Sequence, residues 1–168
     1  MILDMPPGRR CLDNVRSHGA IMAGHHHQLL PDLFGRATLV LSQHATLRDS
    51  VEALRRRREA QVDVSGPPSP ELQAMAMDFA RQLLTHFAVE ERDEYFGALA
   101  KESPELLEPI ADLKREHRDM ERLVSELQAA ATAQQFVARL SDLLDRFGKH
   151  ERREAELLEN FFFGALSR

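Results

Sequence analysis

Apolar residues recur at alternating intervals of four and three along four stretches of this chain. The stretches run from about residue 37 to 61, from 70 to about 100, from 109 to the turn near residue 131, and from 132 to about 163. This spacing places the apolar side chains on one face of an α-helix. The pattern therefore predicts four amphipathic helices that share one core.

Turn-forming sequences separate the four predicted helices. The stretch VDVSGPPSP at residues 62–70 leads into the second helix, with Ser69 as the predicted N-cap and Pro70 as the first helical residue. Thr132, followed three residues later by Gln135, predicts a capping box at the start of the fourth helix. Four helices joined by short or medium loops predict an all-α, up-down-up-down four-helix bundle.

The first 36 residues differ from the rest of the chain. They are rich in proline and glycine and show no sustained apolar period. We therefore expect residues 1–36 to form a largely irregular N-terminal arm, with at most one helical turn near Leu29–Phe34. The bundle is expected to span residues 37–168.

Histidines and glutamates interrupt the apolar face of every predicted helix. An unpaired buried carboxylate costs several kcal/mol or is forced to take up a proton. The four histidines also lie at comparable distances from the connecting turns, which in an antiparallel bundle puts them in one layer. A divalent metal ion would turn these groups into ligands, so we predict a metal site. The candidate ligands on the apolar faces are His44, His86, Glu90, His117, His150 and Glu154.

Three His-x-x-x-Glu pairs reinforce this prediction, since residues four apart lie one turn along the same helix face. The pairs are His86–Glu90, His117–Glu121 and His150–Glu154. Glu121 lies one position off the inner face, so it is either a seventh ligand or a flanking surface residue. One such histidine or pair alone is more often a hydrogen-bonded core residue or a surface pair; the joint pattern favours metal. Imidazole and carboxylate ligands suit iron, manganese and zinc.

Charge and cysteine content narrow the class of protein. A net charge of −5 argues against a nucleic-acid partner, because phosphate binding needs a basic surface. Cys11 is the single cysteine, which excludes an intrachain disulfide and favours a reducing cytoplasm. We see no signal peptide, and no apolar run approaches the roughly 20 residues of a membrane helix. We expect a cytoplasmic protein that does not contact a membrane.

Two further clusters allow alternative interpretations. His25, His26 and His27 follow Gly24 in the predicted arm, where a solvated loop that collects adventitious metal is the simpler interpretation. The cluster Phe161–Phe163 is expected to close the bundle against the arm. If it is exposed instead, it predicts a homodimer interface.

With these features the chain resembles the hemerythrin-like (HHE cation-binding) family. The resemblance covers about residues 37–163. It rests on the isolated His44 before a leucine-rich stripe, on HFAVEE at residues 86–91, on Glu116-His117, and on His150-Glu151 with Glu154.

The resemblance implies a non-haem di-iron centre inside the bundle. His44 and His86 would bind one iron, and His117, His150 and Glu121 the other. Glu90 and Glu154 would bridge the two irons together with an oxo or hydroxo group. An open position on the His44/His86 iron would take dioxygen or another small diatomic or peroxide ligand.

The chain departs from the oxygen-carrying hemerythrins at two places. Glu121 stands where they have a second histidine, and Glu154 follows its histidine by four residues where they have an aspartate at five. Carboxylate donation favours ferric iron, so reversible oxygen storage is disfavoured. We expect a protein that binds or senses dioxygen, iron or redox state, with no catalytic residue beyond the ligands. A di-metal oxidase, peroxidase or ferroxidase and a zinc-binding structural bundle are the alternatives.

Overall fold

The computed structural model describes residues 19–60, 66–92 and 95–166, including all side chains in these ranges except those of residues 19–32, 92 and 163–166. The described residues form five α-helices and no strand. The helices are α1 (Gly19–Glu59), α2 (Pro70–Arg92), α3 (Tyr95–Glu102), α4 (Leu107–Gln128) and α5 (Ala133–Leu166), with a 3-10 turn at Pro104–Leu106. The predicted all-α class is confirmed.

The four long helices, α1, α2, α4 and α5, run antiparallel to their neighbours. Between α1 and α5, contacts join Arg58 to Ser141, Arg48 to Glu151 and His44 to Glu154, so one residue number falls as the other rises. The same reversal relates α1 to α2, through Arg57–Glu71 and Gln43–His86, and α4 to α5, through Glu126–Arg139 and Glu116–His150. The structure therefore has the predicted up-down-up-down order.

The predicted helix caps are confirmed at α2 and α5. The backbone N–H of Leu72 donates to Ser69 Oγ over 3.3 Å, and that of Gln135 donates to Thr132 Oγ1 over 3.2 Å. The side chain of Gln135 reaches back and accepts a hydrogen bond from the Ala131 N–H at 3.1 Å. The bonds to Ser69 and Thr132 satisfy backbone donors that lack partners within the helix. The side chain of Gln135 bonds the residue before the Thr132 cap and not the cap itself, so the predicted capping box is present in a variant form.

Helix α1 begins earlier than predicted. The expectation of irregular backbone is wrong for residues 19–36, which are helical. Leu33 and Ala37 are buried and extend the inner face of α1 towards His44, so tertiary packing outweighs the local effect of the glycines and the proline. Residues 25–27 belong to this helix rather than to a loop, and their side chains lie outside the described residues. Residues 1–18 also lie outside them, and the division into arm and bundle stays a prediction.

The second predicted helix is two helices, because α2 ends at Arg92 and α3 covers Tyr95–Glu102. The following helix, α4, begins at Leu107 instead of Pro109. Pro109 falls in its first turn, where the missing N–H has no acceptor within the helix in any case. The short α3 packs on the bundle and adds three buried side chains to its core, those of Tyr95, Phe96 and Leu99.

Two apolar clusters fill the bundle, one on each side of a polar layer. Cluster A lies towards the C-terminus of α1 and comprises Leu47, Val51, Leu54, Leu72, Ala76, Phe79, Ala80, Leu83, Phe87, Met120, Leu123, Val124, Leu127, Phe136, Leu140, Leu143, Leu144 and Phe147. Cluster B lies towards the C-terminus of α5 and comprises Leu33, Ala37, Val40, Tyr95, Phe96, Leu99, Leu106, Ile110, Leu113, Leu157, Leu158 and Phe161. Along α1, Val40 belongs to cluster B and Leu47 to cluster A, with His44 between them. Along α5, Phe147 of cluster A and Leu157 of cluster B flank the polar residues in the same way. The polar side chains therefore lie in one layer between two dry regions.

The aromatic end of α5 packs within the chain. Phe161 is buried, and the ring of Phe162 lies 4.6 Å from that of Phe34 on α1, measured between centroids. These contacts close this end of the bundle against α1, as expected, while the homodimer stays a prediction. None of the helices described here is both long and apolar enough to span a bilayer.

Candidate metal centre

Six buried polar side chains form the layer between the two clusters. Each of the four long helices contributes one histidine, and α2 and α5 each add a glutamate one turn further along. All six have at most 2% of their surface exposed, so water reaches none of them freely. They are His44 on α1, His86 and Glu90 on α2, His117 on α4, and His150 and Glu154 on α5.

The four imidazoles form two pairs whose Nε2 atoms face each other. His44 Nε2 lies 3.0 Å from His86 Nε2, and His117 Nε2 lies 3.2 Å from His150 Nε2. The ring of Phe87 stacks on His117 with centroids 3.9 Å apart, and it meets His150 edge-on. The structure therefore brings the four predicted histidines into one layer.

The two glutamates lie between the imidazole pairs. Glu90 Oε1 is 3.1 Å from His86 Nε2, while Glu90 Oε2 is 3.1 Å from His117 Nε2. Glu154 Oε2 is 3.0 Å from His44 Nε2 and 4.0 Å from His150 Nε2. Each carboxylate thus contacts a histidine of both pairs.

These short contacts are not hydrogen bonds. All four carboxylate oxygens of Glu90 and Glu154 are buried, and none has a hydrogen-bond partner among the described residues. The distances are those of ion pairs, and His44 and Glu154 attract each other, but neither carboxylate gains a well-aligned hydrogen bond from these contacts. The lone pairs of nitrogens and oxygens instead converge on the same space.

A pair of cations would satisfy this arrangement. Two donors about 2.1 Å from one ion and at right angles to each other are about 3.0 Å apart, which matches both Nε2–Nε2 distances. The ligand atoms of His44, His86, Glu90 and Glu154 all lie within 4.8 Å of one another, and so do those of Glu90, His117 and His150. The donor set therefore fits two metal ions that share Glu90.

Burial and mutual charge give the ionisable groups of the layer unusual pKa values. Burial, followed by the charge of Glu154, raises the pKa of Glu90 to about 8. Burial alone would raise the pKa of Glu154, but the adjacent His44 outweighs it and lowers this pKa. Burial would likewise lower the pKa of His44, yet Glu154 raises it. The opposite shifts of the two carboxyls reflect one proton held by Glu90 and one negative charge held beside His44.

Three of the imidazoles are fixed from outside by a hydrogen bond at Nδ1. His117 Nδ1 donates to Glu91 Oε1 over 2.6 Å, and His150 Nδ1 donates to Glu116 Oε2 over 3.0 Å. Gln43 Oε1 accepts from the Nδ1 of His86 over 3.1 Å. A proton on Nδ1 leaves Nε2 unprotonated and directed at the centre, as a metal ligand requires.

These outer partners were missed by the sequence analysis. The signal available was weak: Glu91 follows Glu90 directly, and Glu116 precedes His117. Each hydrogen bond joins two different helices, and an apolar period does not fix the register between helices to within one residue.

The structure does not bring the seventh predicted ligand, Glu121, into the centre. Glu121 is exposed and lines a surface groove between α2 and α4. With His117 directed inward, the buried face of α4 continues through Met120 and Val124, and the residue four positions after the histidine turns outward. On α2 and α5 the corresponding residue, Glu90 or Glu154, turns inward.

Tyr95 adds a polar group that is not among the candidate ligands predicted from the sequence. Its side chain is fully buried in cluster B, and its hydroxyl has no hydrogen-bond partner among the described residues. Burial and the charges of Glu154 and Glu90 raise its pKa, so the hydroxyl keeps its proton. The protein therefore holds an unused hydrogen-bond donor within electrostatic reach of the two carboxylates.

Comparison with known proteins agrees with this geometry. Residues 36–161 match the family model described as the hemerythrin HHE cation binding domain. No curated protein and no solved structure matches the chain significantly. The matched region includes all six buried ligand candidates and covers most of the chain, and the buried groups of histidine and glutamate are those expected of a metal-binding protein. The chain belongs to the hemerythrin HHE cation-binding domain family.

Proposed function

We propose that the protein binds two metal ions, as a non-haem di-iron centre, and uses them to bind or sense dioxygen or another small redox-active ligand. One observation carries this proposal: two converging imidazole pairs are spanned by carboxylates whose buried oxygens have no hydrogen-bond partner among the described residues. His44, His86 and Glu154 would hold one ion, His117 and His150 the other, and Glu90 both. Bound iron supplies redox chemistry and affinity for dioxygen.

The surroundings favour binding or sensing over catalysis. Among the described residues, the buried polar or charged side chains are the six proposed ligands, with the Tyr95 hydroxyl beside them. A di-metal oxidase or peroxidase commonly needs a further acid or base to move protons during turnover. The two apolar clusters also keep water away from the centre, which suits the binding of a ligand better than a hydrolytic reaction.

The exposed position of Glu121 changes where a small ligand is expected to bind. The resemblance implied an open position on the ion of His44 and His86. Four donors lie together at that ion, whereas the group around the other ion has three, Glu90, His117 and His150. We therefore propose that the external ligand binds at the ion of His117 and His150.

The function is tested by loading the metal-free protein with ferrous iron under anaerobic conditions and then admitting dioxygen. We expect new near-ultraviolet and visible absorption on oxygenation, which disappears on chemical reduction, and no such change in a zinc-loaded control. A protein with two bound irons and an unchanged spectrum contradicts the proposal. Repeated consumption of peroxide, or of ferrous iron and dioxygen, many times per chain would favour the enzyme alternative.

Metal affinity is expected to rise with pH. Glu90 has a pKa of about 8 in the metal-free protein, so at neutral pH an incoming ion must displace its proton. The apparent affinity for Mn²⁺ should increase about tenfold or more per pH unit between pH 6 and 8, because each displaced proton contributes a factor of ten. Calorimetry in buffers of different ionisation enthalpy would measure the proton release. An affinity that is flat over this range would mean that Glu90 is not a ligand.

Replacing Tyr95 with phenylalanine should separate stability from ligand binding. A buried hydroxyl without a partner costs about 1–3 kcal/mol, so Tyr95→Phe should unfold at the same or a higher denaturant concentration than the wild type. We expect the variant still to bind two metal ions. Azide should bind the iron-loaded variant more weakly, because the hydroxyl of Tyr95 is no longer there to donate a hydrogen bond. The absorption of the azide complex measures this binding. A clear loss of stability would show that the hydroxyl already has a structural partner.

A further inference from the structure

The two imidazole pairs differ in what holds their outer nitrogens. Both histidines of the α4/α5 pair, His117 and His150, donate from Nδ1 to a carboxylate, Glu91 or Glu116. On the α1/α2 side, His86 donates instead to the neutral amide oxygen of Gln43. The ligand atoms alone do not reveal this asymmetry, because all four histidines offer the same Nε2.

The asymmetry compensates a difference in the inner donors. The ligand group around His44 and His86 includes both carboxylates, Glu90 and Glu154, whereas the group around His117 and His150 includes Glu90 alone. Two apolar rings flank the imidazole of His117, Phe87 stacked at 3.9 Å and Phe96 at 5.9 Å between ring centroids. In such a medium, uncompensated positive charge is costly. Glu91 and Glu116 provide negative charge on the side where a ligand carboxylate is missing.

We infer that Glu91 and Glu116 are positioning residues that strengthen the metal site of His117 and His150 and stabilise its more oxidised state. This inference rests on the proposed two-metal function. A carboxylate that accepts the Nδ1 proton fixes the orientation of the ring and makes Nε2 a stronger donor. Its negative charge also favours a higher charge on the ion.

Glu91 and Glu116 should not contribute equally to the strength of this metal site. Arg153 donates a hydrogen bond to Glu116, so part of the negative charge of Glu116 is neutralised by the guanidinium. Glu91 makes the shorter bond to its histidine, 2.6 Å against 3.0 Å. We therefore expect Glu91 to have the larger effect.

The test is an anaerobic Fe²⁺ titration of three variants, Glu91→Gln, Glu116→Gln and the control Glu121→Gln. Glutamine can still accept the Nδ1 hydrogen bond, so the first two substitutions remove charge with little change of shape. Glu121→Gln removes the same charge from an exposed position of α4 that lies outside the metal-ligand groups. We expect Glu91→Gln to bind one ion as the wild type does and the second about 10- to 100-fold more weakly, Glu116→Gln to show a smaller loss, and Glu121→Gln to match the wild type.

Two further readouts distinguish tuning from damage to the fold. The reduction potential of the iron-loaded Glu91→Gln protein should rise, because ferric iron loses stabilisation. The reciprocal variant Gln43→Glu should increase the affinity for the ion that His44 and His86 would hold. Unchanged metal binding and reduction potential in both Glu91→Gln and Glu116→Gln would overturn this inference and leave the proposed function standing. Equal losses in all three charge variants would do the same. Fewer than two ions in the wild type would overturn the proposed function and this inference with it.

Discussion

Replacing Glu90 with glutamine is expected to abolish two-metal binding and at the same time to stabilise the metal-free protein. Glu90 has an oxygen 3.1 Å from a histidine of each pair, so both proposed ions lose a donor. The loss should exceed 100-fold in affinity for at least one ion. Metal analysis after dialysis against a defined Mn²⁺ or Fe²⁺ concentration would measure it.

The gain in stability follows from the raised pKa of Glu90. In the metal-free protein this group keeps its proton up to about pH 8, whereas in the unfolded chain it ionises near pH 4.5. The folded state therefore binds more protons between these values, and its free energy of unfolding falls as the pH rises through them. Glutamine carries no charge at any pH. We expect metal-free Glu90→Gln to exceed the wild type by roughly 2–4 kcal/mol at pH 9 and by little at pH 5.

Urea unfolding of both metal-free proteins at these two pH values checks this prediction, with Glu121→Gln as the control for loss of a surface charge. If Glu90→Gln still binds two ions tightly, Glu90 is not a metal ligand. A variant less stable than the wild type at pH 9 would mean that the carboxylate has a partner that compensates its burial.

Removing the metal from the wild type is expected to lower its melting temperature by about 10 °C or more. Without an ion, the buried oxygens of Glu90 and Glu154 have no hydrogen-bond partner among the described residues, and a buried unsatisfied polar group costs about 1–3 kcal/mol. An ion present at a thousand times its Kd adds about 4 kcal/mol to stability, and for a chain of this size 1 kcal/mol shifts the melting temperature by about 2–4 °C.

Thermal unfolding with and without a chelator measures this effect, and Glu90→Gln supplies the matched control. The chelator should change the melting temperature of the variant much less than that of the wild type. Equal melting temperatures of loaded and metal-free wild type would contradict a metal centre within the bundle.

The sequence was sufficient to predict the architecture and the inner layer, because both depend on patterns within single helices. The four-three spacing specifies which face of each helix is buried, and polar residues on that face, such as His44 and Glu154, therefore had to meet inside. Equal distances from the connecting turns then predicted that the histidines share one layer. The distances between the Nε2 atoms agree with that prediction.

Features that depend on the relation between helices could not be predicted from the sequence. Glu121 repeats the His-x-x-x-Glu spacing of Glu90, yet α4 is rotated so that Met120 faces inward and Glu121 faces solvent. The partners of the outer nitrogens, Glu91 and Glu116, come from a neighbouring helix and required its register. The early start of α1 was hidden because glycine and proline weaken local helix signals, although packing of Leu33 against the bundle supports a helix there.

We propose that six buried side chains form a centre for two metal ions. The most direct measurement is the number of ions bound per chain, obtained by titrating the metal-free protein with ferrous iron under anaerobic conditions and analysing the dialysed product for metal. We expect two ions per chain for the wild type and for Glu121→Gln, and fewer than two for Glu90→Gln. One ion or none in the wild type would contradict the proposal.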